Sequence, residues 1–230
     1  MKQLVKKIKV TTELELITGL HIGGNGDNVE IGGIDNPVIK MASKDNQPYI
    51  PGSSLKGKMR CLLEQIYGCA EVGGGTKRNV NGKEVPYKFE DKPKDVQKII
   101  NLFGFASDNK PSKIIVRDSY LQDESAQALK DNTNLDMPYT EGKWENVIHR
   151  VKGTAEHPRQ NERIPAGVRF DVEFVLNIWD DDNESDMMAL LKEGIKALEN
   201  DYLGGSGSRG YGQIRFAELK YEVITFDNQK

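Results

Sequence analysis

Two stretches of the chain alternate apolar and polar residues with a period of two. The first covers residues 8–16, and the second is VRFDVEFVLNIWD at 168–180. Because successive side chains of a strand point to opposite faces of a sheet, each stretch predicts a strand with one buried side. Two shorter segments, KIIVRDSYL (113–121) and QIRFAELKYEVITF (213–226), predict two further strands.

Two other stretches repeat apolar residues at intervals of three and four, which is typical of amphipathic helices. In GSSLKGKMRCLLEQIYG (52–68), Ser53 or Ser54 is the predicted N-cap of the first helix. ESDMMALLKEGIKALEN (184–200) predicts the second. The resulting order is β-α-β-β-α-β, which predicts an α+β fold with a ferredoxin-like or RRM-like core, enlarged by insertions, in one domain over residues 1–230.

The composition limits the classes of function open to the chain. No run approaches the roughly 18 apolar residues of a membrane helix, and the basic N-terminus lacks the apolar segment of a signal peptide. A cytoplasmic protein without a membrane partner is therefore expected. The net charge is −3, from 32 basic and 35 acidic residues. A domain-wide basic surface is thus excluded, and any RNA binding would need cations gathered on one face.

The start of the first predicted helix is a candidate anion site. Lys56 and Arg60 lie four residues apart, hence on one helix face, just after Ser53 and Ser54. Backbone N–H groups, hydroxyls and two cations at a helix N-terminus favour phosphate binding. A solvated basic face on an ordinary helix explains the same residues equally well.

LGGSGSRGYG (203–212) is a second candidate, with five glycines in ten residues. So much glycine often means that another group approaches the backbone closely. Gly205 and Gly207 could admit an RNA backbone, while Arg209 either pairs with phosphate or stacks together with Tyr211 on bases. The alternative is a flexible turn before a strand.

Three further residues stand close to these glycine-rich or charged stretches. In HPRQNERIP, Arg159 and Arg163 could clamp phosphates, although a charged loop has the same composition. His21, in GLHIGG, could serve as a general acid or base, could stack on a base, or could be structural.

Asp35, in GGIDNPVIK, is an isolated carboxylate in front of Asn36-Pro37. An ordinary turn aspartate is the simplest interpretation. One carboxylate cannot hold a divalent cation tightly, because hard cations require several oxygen ligands. RNA phosphate oxygens and waters could complete the shell, so that a metal site would exist only with substrate bound.

Five stretches in this order resemble the repeated backbone subunit of type III-A CRISPR effector complexes, a member of the RAMP superfamily. They are GLHIGG, GGIDNPVIK, YIPGSSLKGKMR, TAEHPRQNERIPAGVRF and LGGSGSRGYGQI, and they span nearly the whole chain. Each motif is moderately specific by itself, whereas the ordered set is highly specific.

The resemblance implies a role for several of these residues. Copies would stack along a CRISPR RNA beside other type III-A subunits and cut complementary target RNA at regular intervals by attack of a 2′-hydroxyl. Asp35 matches the family's catalytic aspartate and would help to position Mg²⁺ or Mn²⁺. His21 matches the loop histidine near the RNA, while Ser53, Ser54, Lys56 and Arg60 match positions that grip the guide.

The resemblance also implies two insertions, a lid-like one at 69–93 and a β-hairpin thumb at 121–143 that would flip out a nucleotide. Some members carry zinc in the lid, but 69–93 has no cluster of cysteine and histidine, so zinc is not expected.

Three alternatives stay open at this point. The chain could be a non-catalytic scaffold that binds RNA, which would have no use for Asp35. It could be a stand-alone, metal-independent ribonuclease for the CRISPR precursor with His21 as general base. It could also be an unrelated phosphate-binding enzyme, which would leave the order of the motifs unexplained.

Overall fold

The computed structural model describes residues 2–24, 34–68, 77–86, 93–105 and 109–226. The described strands are β1 (Leu4–Leu16), β2 (Lys40–Met41), β3 (Gln47–Ile50), β4 (Lys77–Val80), β5 (Lys83–Pro86), β6 (Ile114–Val116), β7 (Ser119–Leu121), β8 (Glu141–Ile148), β9 (Ala155–Arg163), β10 (Arg169–Trp179), β11 (Ile214–Phe216) and β12 (Lys220–Thr225). The described helices are α1 (Gly52–Ile66), α2 (Lys94–Phe103), α3 (Asp123–Lys130) and α4 (Glu184–Glu199).

An antiparallel eight-stranded sheet organises the chain around β1 and β10. The strand order is β11-β1-β10-β7-β3-β2, with β12 also paired to β1 and β6 to β10. Val10 lies opposite Phe174 and Leu14 opposite Phe170, so the alternating apolar positions of both strands coincide on one face. The α+β class and the strand predicted over 168–180 are confirmed.

The helices α1, α2 and α4 contribute the other half of the core. Their apolar side chains join those of β1 and β10 in one continuous buried cluster. Leu55 and Met59 of α1 are fully buried, as the three-and-four spacing predicts. In the described part of the chain, no helix is long and apolar enough to cross a membrane.

The prediction of a β-hairpin over 121–143 is wrong. Only residue 121 belongs to β7, and α3 and a loop precede the start of β8 at Glu141. The stretch DESAQALK favours a helix because it carries two acidic residues in the first turn, a lysine in the last, and Ala126 and Leu129 on one buried side. The hairpin follows instead, as β8 and β9, which form a separate two-stranded sheet.

The predicted lid at 69–93 is described only in part. Its residues 77–86 form the short antiparallel hairpin β4–β5, in which Lys77 is opposite Pro86. Residues 69–76 and 87–92 lie outside the described residues, so the lid stays a prediction.

The serine cap predicted for α1 is also wrong. The helix begins at Gly52 after Pro51, and no side chain of the flanking segment caps it. Asp118 from the β6–β7 turn supplies the acceptor instead, because the Gly52 N–H donates to its Oδ1 at 2.8 Å. A Cβ on Gly52 would lie 2.1 Å from the Val116 carbonyl oxygen, so glycine is required for this close approach.

Replacing this remote cap is expected to weaken the fold measurably. Asp118→Ala should lower the free energy of unfolding by about 1 kcal/mol, since it leaves the Gly52 N–H without its acceptor. Asp118→Asn keeps an oxygen at the same place and should cost much less. Urea unfolding of both variants checks the prediction, and equal stabilities of the alanine variant and the unchanged protein would contradict it.

Candidate functional site

Most of the predicted site residues meet where the β8–β9 hairpin joins the body of the protein. Three loops there lie against the last residues of β9 and the residue that follows it. We call this place the junction, defined by residues 19–24, 34–40, 160–164 and 203–212. Two isolated β-bridges connect the loops to this strand end. Leu20 pairs with Ile164 in an antiparallel bridge, and Asn36 pairs with Asn161 in a parallel one.

Asp35 lies at the edge of the junction with an exposed side chain. Its Oδ2 accepts a hydrogen bond from the Gln160 backbone N–H at 2.9 Å. The next residue is held twice, because Asn36 Nδ2 donates to Asn161 Oδ1 at 2.6 Å and the Asn36 carbonyl accepts from the Glu162 N–H at 3.1 Å. The carboxylate is therefore fixed against a strand by its Oδ2, and no described residue forms a hydrogen bond with its Oδ1.

His21 contacts two segments of the junction. Its Nδ1 lies 2.7 Å from the Glu162 carbonyl oxygen, which can only accept, so Nδ1 carries the proton and neutral His21 keeps Nε2 as an acceptor. The His21 carbonyl in turn accepts from the Gly205 N–H at 2.8 Å. His21 thus has a structural role at Nδ1, while Nε2 has no hydrogen-bond partner in the part of the chain that the structure describes.

The glycine-rich loop packs tightly on the protein itself. A Cβ on Gly207 would lie 2.1 Å from the Tyr202 ring, and one on Gly204 would lie 2.3 Å from the His21 carbonyl oxygen. Gly205 is different, because its Cβ would make only ordinary contact with His21. Internal packing therefore accounts for much of the glycine that the sequence suggested was reserved for RNA.

The basic residues of the junction are mostly paired with acids of β8. Arg163 Nε donates to Glu141 Oε1 at 2.6 Å, and its guanidinium lies 5.1 Å from the centre of the Tyr211 ring. Arg209 forms an ion pair with Glu145 and stays 52% exposed. These pairs attach the base of the hairpin to the glycine-rich loop.

Glu145 and Tyr211 form the buried centre of this attachment. Burial acts to raise the pKa of the Glu145 carboxyl, but the nearby Tyr211 hydroxyl and Arg209 guanidinium outweigh it and hold that pKa below its usual value. Burial, followed by the Glu145 carboxylate, raises the pKa of the Tyr211 hydroxyl. Tyr211 is 1% exposed, so the prediction that its ring stacks on bases does not fit this structure.

The exposed side chains of the hairpin differ in character from the paired residues at its base. Arg159 lies opposite Glu145 in the strand register, is exposed, and has no ion-pair partner among the described residues. From this point toward its turn the hairpin exposes large apolar side chains, namely Trp144, Val147, Ile148 and Val151. An apolar surface with a free cation is a chemistry that suits unstacked bases and phosphates.

The cations predicted on α1 are engaged within the protein. Lys56 Nζ donates to Ser112 Oγ at 2.7 Å, and burial, followed by the neighbouring Arg60 cation, lowers the pKa of the Lys56 ammonium. Arg60 binds Glu64 at 2.7 Å and the Gly104 carbonyl at 3.1 Å. Ser53 is exposed and Ser54 partly buried in the first turn. No contact among the described residues joins this group to Asp35, and its role in RNA binding stays a prediction.

The junction offers little to a metal ion by itself. Within the described ranges, no three side chains of the types His, Cys, Asp and Glu are grouped so that they could hold one. Asp35 supplies one carboxylate, and one of its oxygens already accepts from Gln160. A divalent cation would therefore fit only if RNA oxygens and waters provided most of its ligands.

Several residues that hold the junction together were missed from the sequence. Glu162 is 1% exposed, although it lies in the polar stretch RQNERIP. Lys40, Thr140 and Val38 all contact its carboxylate. The one available signal was the alternation in NERI, where Glu162 and Ile164 fall on the same side of a strand.

Several known proteins are similar to this chain in sequence over most of its length. The RAMP superfamily model matches residues 13–215. The CRISPR system Cms endoribonuclease Csm3 of Methanocaldococcus jannaschii is 42% identical over 226 residues, which are 96% of this chain and 83% of the relative. The protein of the same name from Streptococcus thermophilus is 42% identical over 224 residues, which are 95% and 90% of the two chains.

Solved structures extend this similarity to three dimensions. A chain of the Csm3–Csm4 subcomplex of the type III-A CRISPR-Cas interference complex has a TM-score of 0.56 and 29% identity, with 97% of this chain and 82% of that one covered. A chain of the type III-B Cmr-beta complex bound to cognate target RNA has a TM-score of 0.59 at 19% identity, covering 96% and 61%, and shares the fold. The chain belongs to the RAMP superfamily and, within it, to the family of Csm3 CRISPR endoribonucleases.

Proposed function

We propose that this chain binds CRISPR RNA as a repeated subunit of a type III-A interference complex and cuts complementary target RNA. The endoribonuclease names of its relatives support the activity, and the Csm3–Csm4 subcomplex supports assembly with other effector subunits. The observation that carries the proposal is the exposed Asp35 carboxylate, which the Gln160 N–H holds beside the hairpin. A scaffold that only binds RNA would have no use for a carboxylate fixed in this way.

The reaction is an internal phosphoryl transfer within the target strand. The 2′-hydroxyl oxygen attacks the adjacent phosphorus, the bond to the 5′-oxygen breaks, and the products are a 2′,3′-cyclic phosphate and a 5′-hydroxyl. The 2′-hydroxyl loses a proton and the departing 5′-oxygen gains one. Asp35 orients the attacking group and can accept its proton, and the acceptor Nε2 of His21 offers a second place for that proton, while solvent water protonates the departing 5′-oxygen.

A divalent cation, Mg²⁺ or Mn²⁺, would be held by Asp35 together with RNA oxygens. When bound, it would neutralise negative charge that develops on the phosphate. Asp35 would contribute its Oδ1, since Oδ2 accepts from Gln160. The chain's own share of catalysis is then to orient this one carboxylate and to hold the target strand in a reactive geometry.

The thumb belongs to the β8–β9 hairpin in this proposal. Its exposed Trp144, Ile148 and Val151 can enter a base step as apolar wedges, and Arg159 can neutralise a nearby phosphate. Arg163 and Arg209 would contact RNA only in competition with Glu141 and Glu145. Further copies of the chain, stacked along the guide, would repeat the wedge at regular intervals.

The finer fold assignment is also part of the proposal. Taken along the sheet, β11 and β12, then β1, then β10, then β6 and β7 follow the order of a ferredoxin-like or RRM-like core. In that arrangement α1 and α4 are the two crossover helices. The antiparallel pairing of β1 with β10 supports it.

The test uses the wild-type complex assembled with a guide RNA and a labelled complementary target. With Mg²⁺ we expect fragments at regular intervals that end in a 2′,3′-cyclic phosphate. A target with a single 2′-deoxy sugar should bind with unchanged affinity and lose the cut at that sugar alone, because the attacking oxygen is missing. EDTA should stop all cuts.

Two results would contradict parts of this scheme. A cut at the 2′-deoxy position would rule out attack by the 2′-hydroxyl. Cleavage that persists in EDTA would mean that the reaction needs no divalent cation, and it would favour His21 as general base.

A further inference from the structure

The carboxylate of Glu162 is buried and has three hydrogen-bonding or ion-pair partners at the junction. Its Oε1 accepts from Thr140 Oγ1 at 2.5 Å and from Lys40 Nζ at 2.5 Å. Its Oε2 accepts from the Val38 backbone N–H at 2.8 Å. The side chain is 2% exposed, so these contacts replace water almost completely.

The backbone of Glu162 contacts two loops of the junction, the one with His21 and the one with Asn36. Its carbonyl faces His21 Nδ1, and its N–H donates to the Asn36 carbonyl. The segment with Asp35 is thus attached to β9 on both sides of Asn36, through Gln160 before it and through Glu162 after it. The segment is also paired with the loop that bears His21, because the Gly24 N–H donates to the Pro37 carbonyl at 3.0 Å and the Ile39 N–H donates to the Ile22 carbonyl at 2.9 Å. The contacts of Glu162 with Val38 and His21 therefore attach both loops to β9.

A carboxylate is needed here because all three of its partners donate. The Val38 N–H, the Thr140 hydroxyl and the Lys40 ammonium converge on two oxygens, and a carboxylate presents only acceptors to them. A glutamine would turn an NH₂ group toward one of these donors. A buried charge that loses its partner costs far more than the pair contributes, so Lys40 and Glu162 depend on each other.

We propose that Glu162 is a positioning residue for target cleavage, which sets the place of Asp35 by holding the 36–38 segment and His21 on β9. The proposal rests on the function proposed above for Asp35. Glu162 itself is buried and does not meet the RNA. Its effect therefore falls on the rate constant of cleavage and leaves the affinity for target RNA unchanged.

The experiment compares Glu162→Gln with Asp35→Asn in the complex assembled with guide RNA. Single-turnover cleavage and target affinity are measured together with hydrogen exchange of the Val38 and Gln160 amides. Glu162→Gln should slow cleavage on the order of tenfold at unchanged affinity, because a small misplacement of a reacting group is costly. Both amides should exchange faster, since their acceptors are displaced.

Two further variants separate positioning from general damage. In Glu162→Gln with Lys40→Met, the amide oxygen can accept from Val38 and the NH₂ group can donate to Thr140, so we expect cleavage and slow exchange to return. Asp182→Asn is the matched control, because Asp182 is 8% exposed, pairs with Lys113 and accepts from the Trp179 N–H. It should leave cleavage unchanged.

Each outcome decides the proposal. Wild-type cleavage in Glu162→Gln with loss in Asp35→Asn would overturn it, and so would slow cleavage at unchanged amide exchange. If Asp35→Asn cleaves normally, the proposed catalytic role of Asp35 fails, while exchange at Val38 and Gln160 still tests whether Glu162 positions the segment. Should Glu162→Gln fail to assemble, Thr140→Val removes one donor only, and unchanged exchange and cleavage in that variant would overturn the proposal.

Discussion

Asp35→Asn is expected to lower the rate constant of target RNA cleavage in the assembled complex by about 10²–10⁴-fold, the range found when a positioned acid or base is lost. The amide keeps an oxygen that can accept from the Gln160 N–H, so the loop should stay in place. Only the negative charge and the second carboxylate oxygen disappear. Target affinity and thermal stability should therefore stay at the wild-type values.

Asp136→Asn provides a closely matched control for this experiment. Asp136 is also an exposed loop aspartate, and it accepts a single backbone N–H, that of Gly142, from the other strand of the same hairpin. Single-turnover assays at saturating complex report the chemical step for both variants. Loss of cleavage in both would point to a general effect of charge near the hairpin, and wild-type cleavage in Asp35→Asn would leave Asp35 a turn residue.

The sequence predicted the parts of the fold whose burial follows a regular period. β10 buries alternate residues as expected, and α1 and α4 bury residues at intervals of three and four. β9 escaped because its hairpin stands apart from the main sheet and most of the strand is exposed. No apolar alternation can develop in such a strand, so HPRQNER has the composition of a loop.

The sequence predicted individual residues of the candidate site, but it did not predict the contacts between them. Asp35, His21 and Arg163 lie together at the junction, although nothing in the sequence placed them near one another. What holds them is long-range, since Glu162 lies 124 residues from Val38 along the chain. A buried glutamate has no sequence pattern of its own. The remote cap of α1 by Asp118 was missed for the same reason.

The sequence suggested that the glycine-rich loop admits RNA, whereas in the structure several of its glycines pack against the protein itself. Gly212 has φ of +71°, and a Cβ there would lie 1.9 Å from the Leu203 carbonyl oxygen. Its N–H donates to the Gly19 carbonyl, and its carbonyl accepts from the Leu203 N–H, each at 2.9 Å. Gly212→Ala should therefore lower the free energy of unfolding by about 3–5 kcal/mol, from backbone strain and two disturbed hydrogen bonds.

Gly210→Ala separates strain from packing in the same loop. Gly210 also has a positive φ, +85°, but nothing lies within 4 Å of the place its Cβ would take. Gly210→Ala should therefore lower the free energy of unfolding by only about 1–2 kcal/mol, which is the strain of the left-handed backbone alone. Urea unfolding of both variants measures the difference, and equal losses would mean that packing against Leu203 contributes nothing. If Gly210→Ala instead weakens guide RNA binding at that modest cost in stability, the RNA backbone approaches the loop at its open position, and the packed glycines serve only to hold it there.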